Sequence, residues 1–293
     1  MPIPWAWSIR SGRCRKGADV GEYADWIGRE TVRQDRVSAR LIAQFRATLP
    51  DLLVPGAVPL GLFWALCPDA LPPADLGRDG HPRLGITLPA LPLPRRMWAG
   101  GEVRFLAPLA PEDEVERRSR IERIDEKHGS TGALIFIVVR HEYLVAGRTC
   151  VSERQDLVYR ADPVPGRAAP TYPPATELGP PLATLPLLSD PTRLFRFSAL
   201  TFNGHRIHYD ADYARQVEGY GGLVVHGPLQ AVAMMNLAAR VLGRVPEVFS
   251  YRGLSPLIVG QEAEVQAHAD GDALALRVVA RGGPVTMAGQ ARG

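Results

Sequence analysis

The sequence predicts an α+β protein in which an antiparallel sheet wraps a helix, an arrangement that occurs twice along the chain. Residues 31–49 carry apolar side chains at helical spacing and are followed by several strand-like segments. Residues 223–242 form a second helical pattern, which is followed by four short strand-like segments. A stretch rich in Pro and Ala, residues 161–192, separates the two groups. The order of elements therefore indicates two similar layered halves.

The first group begins with an amphipathic helix, which the apolar spacing predicts over Thr31 to Leu49. A second, short apolar helical piece is predicted over Leu60 to Leu66. Between Val115 and Arg123, alternate positions fit one face of a half-buried strand. Further strand patterns follow at residues 133–139 (ALIFIVV), 141–145 and 149–159.

The second group repeats this order. A strand is predicted over Leu194 to Leu200, and a polar segment, FNGHRIHYD (residues 202–210), follows it. The helix pattern over Leu223 to Leu242 is apolar on nearly every side, so this helix should be buried. Four strands are then predicted over residues 248–254, 263–269, 274–280 and 285–291.

These patterns divide the chain into four segments. They are an N-terminal extension (1–25), an N-terminal domain (26–160), a Pro-rich linker (161–192) and a C-terminal domain (193–293). Proline fixes φ and removes a backbone donor, so the linker is predicted to be extended rather than packed.

Composition excludes several classes of function. The 293 residues are 46% hydrophobic and 22% charged, as in an ordinary globular protein, and the net charge is only +3. Because no dense basic stripe occurs, nucleic-acid binding is not expected. No apolar run reaches the ~20 residues that span a bilayer, so no membrane association is expected either. Three scattered cysteines suggest a reducing compartment, and we expect a cytoplasmic protein.

Three of the seven histidines cluster around the transition into the long helix. His205, His208 and His226 lie within 22 residues of one another, and histidine exchanges protons near neutral pH. His208 is the predicted catalytic base, whereas His226 is interpreted as a packing and capping residue. Gly227 lies at the helix start, where free backbone N–H groups favour a negatively charged oxygen. The lack of a side chain at Gly227 allows close approach.

Four segments carry a resemblance to a known family. The runs FSALTFNGHRIHYDADYA (197–214) and EGYGGLVVHGPL (218–229) resemble the MaoC-like, R-specific enoyl-CoA hydratases. They are most similar to the type 2 hydroxyacyl-thioester dehydratase branch, which includes mesaconyl-C4-CoA and itaconyl-CoA hydratases. RRMWAGGEVRF (95–105) and ERQDLVYR (153–160) are similar to the first half of that branch. The resemblance implies a double hotdog fold, an active centre on the C-terminal hotdog and an acyl-CoA substrate.

The general hydratase motif is Asp-x-Asn-Pro-(Leu/Ile/Val)-His. When its His is laid on His208, its Asp falls on Asn203, its Asn on His205 and its Pro on Arg206. The spacing is kept, but the carboxylate is replaced by an amide, which orients water and takes no proton at neutral pH. We therefore expect Asn203 and His208 to hold one water, with His208 handling both proton transfers. The Gly227 N–H is expected to stabilise the thioester enolate.

Five residues are candidates for contacts with the substrate. Arg95 and Arg96 are expected to meet a CoA phosphate or a substrate carboxylate, and Arg206 is a stronger candidate for a carboxylate clamp. His205 and Tyr209 complete the set because they lie inside the motif. The sequence shows no metal site and no nucleotide, flavin or nicotinamide motif, so no cofactor is expected beyond the CoA of the substrate.

The sequence thus predicts a hydro-lyase that reversibly hydrates a 2-enoyl-CoA. The resemblance favours a short, branched C5 dicarboxylic acyl group, as in itaconyl-CoA or mesaconyl-C4-CoA, which would give citramalyl-CoA. One alternative is a 3-hydroxyacyl-thioester dehydratase of fatty-acid metabolism. A non-catalytic acyl-CoA-binding protein is an alternative of another class, and a thioesterase on the same fold remains open. The two fused hotdogs pair internally and are expected to allow a homodimer.

Overall fold

Ten antiparallel strands form one continuous sheet in this computed structural model, which describes residues 22–129, 132–164 and 170–293. The strands are β1 (Glu30–Arg36), β2 (Arg95–Phe105), β3 (Glu114–Gly129), β4 (Gly132–Val145), β5 (Arg148–Arg160), β6 (Ala183–Pro186), β7 (Val248–Gly253), β8 (Ala263–Asp270), β9 (Ala273–Ala280) and β10 (Val285–Arg292). The α-helices are α1 (Ala39–Thr48), α2 (Pro191–Leu200), α3 (Ala211–Gln216) and α4 (Gly227–Leu242). Of the predicted extension, residues 1–25, the first 21 residues lie outside the described part of the chain.

The strand order shows that the sheet has two halves. The order is β1-β3-β4-β5-β2-β7-β10-β9-β8-β6, so the first five strands come from the N-terminal half and the others from the C-terminal half. The halves join where β2 pairs with β7, with Gly101 opposite Tyr251. A Cβ at position 101 would lie 2.4 Å from the Tyr251 hydroxyl oxygen, so glycine is required for this close pairing.

Helix α4 is the central helix of the C-terminal half, as its all-round apolar sequence predicts. Its residues from Leu229 to Ala239 are all buried, and it packs against β6 to β10. The helix begins at Gly227, four residues after the predicted start, and Pro228 occupies its first turn, where a missing N–H costs nothing. It ends at Gly243, which has a left-handed φ of 71°.

The N-terminal half departs from the predicted helix over Thr31 to Leu49. Its first part is the strand β1, in which exposed and half-buried residues alternate and which pairs with β3. Only the second part is helical, starting after Ser38, whose side chain caps α1 by accepting the Leu41 N–H. Leu41 and Phe45 on α1 join the same core as α4, so the two halves share one hydrophobic interior.

The prediction of a strand over Leu194 to Leu200 is wrong, because this segment is helix α2. Asp190 precedes the helix and its side chain accepts the N–H groups of Thr192 and Arg193. Pro191 occupies the first helical position, where its fixed φ favours a helix. Leu194 and Phe197 are buried together on one face of α2, at the three-residue spacing of a helix.

The described residues of the predicted linker have little regular secondary structure but include one packed strand. Within residues 161–192, β6 pairs with β8 and places Leu185 and Leu187 in the core. The expectation that this stretch is wholly unpacked is therefore wrong for its last third. Residues 165–169 lie outside the described residues. None of the helices in the described ranges has the length and apolar character needed to cross a membrane.

Candidate active site

The C-terminal end of α2 fixes the position of Asn203. The helix ends in a paired-bond cap: the Asn203 N–H donates to the Ser198 carbonyl at 2.8 Å, and the Phe202 N–H donates to Ala199 at 3.4 Å. Phe202 takes the left-handed position of this cap, with a φ of 49° where glycine is usual. The backbone is therefore tightly constrained at the residue before Asn203.

The segment from Asn203 to Asp210 is held by its own side chains. The Asn203 side-chain oxygen accepts the His205 N–H at 3.0 Å, which starts the short 3₁₀ helix Arg206–His208. Asp210 then caps α3 by accepting the Tyr213 N–H at 2.9 Å. Because both ends of the segment are capped, the rings of His205 and His208 have fixed positions between them.

His208 is buried, uncharged and oriented by one strong hydrogen bond. Its Nδ1–H donates to the Val224 carbonyl at 2.7 Å, so Nε2 is the ring nitrogen left to accept a proton. Burial, reinforced by His226 and His205, holds the pKa of His208 well below its ordinary value. The free protein thus has a neutral imidazole with an unprotonated Nε2, which is the form that a general base requires.

His226 supports the ring of His208 rather than capping α4. The two rings stack with centroids 3.6 Å apart, and His226 Nε2 lies 2.8 Å from the Ser198 hydroxyl. His226 occupies the N-cap position, but its side chain makes no capping bond, so the predicted capping role is wrong. Burial, followed by His205, lowers the pKa of His226 to about 3, which keeps this stacking partner uncharged.

Gly227 is confined by an aromatic ring from the N-terminal half. A Cβ at this position would lie 2.5 Å from Trp98, so only glycine allows the ring to lie against the start of α4. As the first helical residue, Gly227 has no acceptor for its N–H within the helix. The geometry thus leaves a backbone donor at the positive end of α4, directly beside the His208–His226 pair.

These residues open onto a cavity of about 380 Å³ between the two halves. Five of the eight residues predicted for the site line it: Arg96, Asn203, His205, His208 and Gly227. The N-terminal half supplies Arg96 from β2, and the C-terminal half supplies the other four residues. The site is therefore shared between the halves. The sequence analysis placed the catalytic residues in the C-terminal half and expected only Arg95 and Arg96 from the N-terminal half.

The other three predicted residues do not line the cavity, and each has a different partner. Arg95 is buried and forms an ion pair with Glu218 at 2.7 Å. Arg206 forms an ion pair with Asp210, also at 2.7 Å, and its guanidinium lies over the Tyr213 ring. Tyr209 is about half exposed and donates its hydroxyl to the Gly204 carbonyl. Arg95, Arg206 and Tyr209 therefore make structural contacts within the protein, and their predicted contacts with substrate stay predictions.

The cavity also contains titratable residues that the sequence analysis missed. His81 lies on a loop of the N-terminal half, and its ring centroid is 4.4 Å from that of His205. Glu153 on β5 is fully buried and accepts hydrogen bonds from Trp64 and Tyr251. Burial raises the pKa of Glu153, and those hydrogen bonds oppose the shift only in part. Glu153 begins the segment 153–160 that carries part of the family resemblance, but that segment gave it no role, and His81 lies in none of the quoted segments. Tertiary packing brings both residues to the site.

Asp79, His81 and His205 are the group in the described chain to consider for a metal ion. Their possible ligand atoms lie within 4.8 Å of one another. However, His81 Nδ1 and the Asp79 carboxylate already form a hydrogen bond of 3.0 Å, which uses one nitrogen and one oxygen of the set. We interpret the group as a hydrogen-bonded cluster.

Comparison with known proteins agrees with this architecture. The family model for hydroxyacyl-thioester dehydratase type 2 matches residues 61–259. The mesaconyl-C(4)-CoA hydratase of Chloroflexus aurantiacus is 40% identical over 262 residues, which cover 87% of this chain and 92% of that relative.

Two solved structures share the fold. HtdX of Mycobacterium tuberculosis has a TM-score of 0.65 at 19% identity, covering 90% of this chain and 99% of that one. Another Mycobacterium tuberculosis protein, described as having a double hotdog fold, has a TM-score of 0.52 at 18% identity, covering 90% and 95%. The predicted double hotdog is confirmed. This chain belongs to the hydroxyacyl-thioester dehydratase type 2 family, whose named members are hydratases and dehydratases.

Proposed function

We propose that this protein catalyses the reversible hydration of a 2-enoyl-CoA whose acyl group is a short, branched C5 dicarboxylic acid, with mesaconyl-C4-CoA as the first candidate. The name of the Chloroflexus aurantiacus relative supports this choice of substrate. Family membership supports the reaction class, and the contents of the cavity support the acyl group.

The reaction needs a base for the water and a donor for the thioester oxygen. Neutral His208 takes a proton from the water through Nε2 while the water oxygen bonds to the β-carbon. The electrons of the double bond then move toward the thioester oxygen, where the Gly227 N–H and the start of α4 stabilise the negative charge. A proton added to the α-carbon completes the hydration.

Arg96 is the single observation that favours a dicarboxylic acyl group. It lines the cavity together with His208 and Gly227. Its backbone belongs to the β2–β5 ladder, but its guanidinium forms no ion pair with a described carboxylate. Its neighbour Arg95 is neutralised by Glu218. Burial is the main reason why the pKa of His81 is lowered, and the charge of Arg96 is the next. An unpaired guanidinium in a partly enclosed cavity matches a substrate carboxylate.

The cavity also argues against the long-chain alternative. Its volume of about 380 Å³ is near the lower end of the range for small-molecule sites. Arg96, Arg117, Arg160 and Glu153 all lie in its wall, and burying an alkyl chain against such groups would cost their hydration. A short acyl group with its own charge suits this wall better than a fatty acyl chain.

We also infer that the protein works in the cytoplasm and needs no cofactor beyond the substrate's CoA. Cys67 and Cys150 are buried free thiols, as suits a reducing compartment. His208 and Gly227 together supply a base and an oxyanion donor from the chain itself. Dialysis against EDTA followed by an activity assay tests the cofactor inference, which a loss of activity restored by added metal would contradict.

Loss of the enoyl-thioester absorbance tests the substrate. Wild-type protein should hydrate mesaconyl-C4-CoA with a higher kcat/KM than crotonyl-CoA, which lacks the second carboxylate. The variant Arg96→Gln should lose at least about 100-fold in kcat/KM on mesaconyl-C4-CoA, because it removes a charge-assisted contact, and change little on crotonyl-CoA. Arg104→Gln, an exposed position on the same strand, serves as the control.

The results separate the alternatives. Activity on crotonyl-CoA and long-chain enoyl-CoA, with none on C5 dicarboxylic compounds, would contradict the proposed substrate and favour the fatty-acid alternative. Equal losses of Arg96→Gln on both substrates would show that Arg96 does not recognise the carboxylate. Binding of acyl-CoA without turnover would favour a non-catalytic binder, and release of free CoA thiol would reveal a thioesterase.

A further inference from the structure

Four imidazole rings form a continuous series along one side of the site. The ring centroids of His81 and His205 are 4.4 Å apart, those of His205 and His208 are 5.4 Å apart, and those of His208 and His226 are 3.6 Å apart. At one end of the series, the Nε2 atom of His226 is hydrogen-bonded to the Ser198 hydroxyl. His81 lies at the opposite end and is the member that comes from the N-terminal half.

The loop that carries His81 is fastened to the motif segment. The Arg206 N–H donates to the Asp79 carbonyl at 2.8 Å, so the two loops share a backbone hydrogen bond. A Cβ at Gly80 would lie 1.9 Å from the Gly204 carbonyl oxygen, and one at Gly204 would lie 2.6 Å from the Gly80 oxygen. Both positions require glycine, and Gly80 also has a left-handed φ of 88°. This contact fixes the distance between His81 and His208.

Asp79 fixes the orientation of the His81 ring. One carboxylate oxygen accepts the His81 backbone N–H at 3.1 Å, and the other lies 3.0 Å from Nδ1. When Nδ1–H donates to this carboxylate, Nε2 becomes the nitrogen available to substrate. The arrangement is that of a proton-transfer imidazole oriented by a buried carboxylate.

We propose that His81, held by Asp79, is a second catalytic residue that exchanges the proton at the α-carbon, while His208 exchanges the proton of the water. This inference rests on the proposed hydration reaction. It supplies the proton-transfer group that is missing at Asn203, where the family's general motif has an aspartate. The replacement comes from the other half of the molecule, so the motif itself does not contain it.

The proposed step balances with one proton on His81 at the start. As the water oxygen bonds to the β-carbon, His208 takes the water proton, and the double-bond electrons move to the thioester enolate. The enolate then re-forms its carbonyl and takes the proton from His81 Nε2 at the α-carbon. His208 is left protonated and His81 neutral, and exchange of protons with solvent in the cavity returns both rings to their starting states.

The charges around His81 explain how substrate binding would cause the His81 ring to take up this proton. Burial, Arg96 and His205 lower the pKa of His81 to about 3, while Asp79 opposes them. Glu218 is the nearby negative group: its Oε1 atom lies 3.8 Å from Nε2 of His205. Glu218 also forms an ion pair with Arg95. A substrate carboxylate at Arg96 offsets the main positive neighbour, so binding should draw a proton onto His81.

The test compares His81→Gln and Asp79→Asn with His268→Gln. His268 on β8 is also a buried histidine whose pKa is lowered by burial, and it does not line the cavity, so it controls for the loss of such a ring. Wild type is first shown to hydrate mesaconyl-C4-CoA. We expect His81→Gln to lower kcat at least about 100-fold with little change in KM, whereas His268→Gln keeps kcat within about threefold.

Exchange of the α-proton of the hydrated product with D₂O separates catalysis from a structural effect. His81→Gln should abolish this exchange, while His208→Gln should retain it and lose hydration. Asp79→Asn should show an intermediate kcat and an altered pH profile, because it changes the partner of the ring but leaves the ring in place. Melting temperatures within a few degrees of wild type show that the variants are folded.

Three results would overturn the proposal. If wild type hydrates no enoyl-CoA, the proposed function and this role fall together. If wild type is active and His81→Gln retains its kcat and its α-proton exchange, only the role of His81 is lost. If EDTA abolishes activity and added Zn²⁺ restores it, the Asp79–His81–His205 cluster binds metal and is not a proton-transfer device.

Discussion

Asn203 makes the reacting end of the site less negatively charged than an aspartate would. Its side-chain oxygen is used within the chain, where it accepts the His205 N–H, so its amide N–H₂ group is left for a water or a substrate oxygen. With no carboxylate at position 203, His208 keeps its lowered pKa and remains neutral. The amide thus favours a neutral base at position 208.

Replacing Asn203 by Ala removes both contacts of the amide. We expect kcat/KM for hydration to fall about 10- to 100-fold, because the water loses one hydrogen bond and the His205 N–H loses its acceptor. Asn203→Asp keeps that acceptor and should retain more activity than Asn203→Ala. Steady-state kinetics of both variants check this, and wild-type kinetics in Asn203→Ala would remove Asn203 from the mechanism.

At the level of single residues, the sequence predicted those parts of the site that lie within one motif. His208, Asn203 and Gly227 were found because they are close in sequence. The buried ion pair of Arg95 was not foreseen, because its partner, Glu218, is 123 residues away. The ion pair of Arg206 with Asp210 spans only four residues and could have been predicted from that spacing. His81 is brought in by a contact between distant loops, which no local pattern reveals.

Among the elements, α2 shows where apolar periodicity misleads. The apolar residues of 194–200 were interpreted as a strand, although Asp190 and Pro191 together are a helix-start signal. The capped end of α2 has a direct consequence for the site, since it positions Asn203. Helix α4 and strands β7 to β10 were predicted within a few residues, because their patterns are longer and regular.

The start of α4 depends on the absence of a side chain at Gly227. Gly227→Ala would place a Cβ 2.5 Å from Trp98, so the ring or the helix start has to shift. We expect the free energy of unfolding to fall by about 1–3 kcal/mol and kcat to fall at least about 10-fold. Urea unfolding and steady-state kinetics measure the two effects.

Gly221→Ala is the matched control for this variant. Gly221 lies in the segment that precedes α4, and a Cβ at this position would have no neighbour within 4 Å. It should therefore leave both stability and kcat close to wild type. If Gly227→Ala behaves in the same way as this control, the close packing of Trp98 on the helix start has no functional role.

For the whole molecule, the site lies at the junction between the halves and is built from both of them. The pairing of β2 with β7 brings Arg96 and Trp98 next to α4, and the His81 loop closes the site from the same half. The sequence predicted two halves but placed the chemistry in one of them. Pairing between distant strands fixes which residues meet at a junction, and local sequence patterns carry no information about that pairing.

Buried neutral histidines make the stability of the whole molecule depend on pH. The pKa values of His81, His141 and His226 are lowered to about 3, chiefly by burial, against an ordinary value of 6.5. Between pH 3 and 6.5 the unfolded chain therefore binds more protons than the folded one. Stability is present above about pH 6.5 and is lost as pH falls, by up to about 1.4 kcal/mol per pH unit for each group.

Glu153 acts in the opposite sense, because burial raises its pKa and its contribution is lost as pH rises. The titration of Glu153 cancels the contribution of only one histidine. The free energy of unfolding therefore still increases with pH in this range. Urea unfolding at several values between pH 5 and 6.5 measures this slope, and His141→Gln should reduce it by one proton. A flat profile in wild type would contradict the buried, neutral state of these rings.

His208 as the base of a hydration reaction is the central claim, and one rate measurement tests it most directly. The initial rate of enoyl-thioester loss with mesaconyl-C4-CoA is compared between wild type, His208→Gln and the control His268→Gln, which changes a histidine on β8. We predict a fall in kcat of about 10²- to 10⁴-fold for His208→Gln and a wild-type rate for His268→Gln. A kcat of folded His208→Gln close to wild type would contradict the claim.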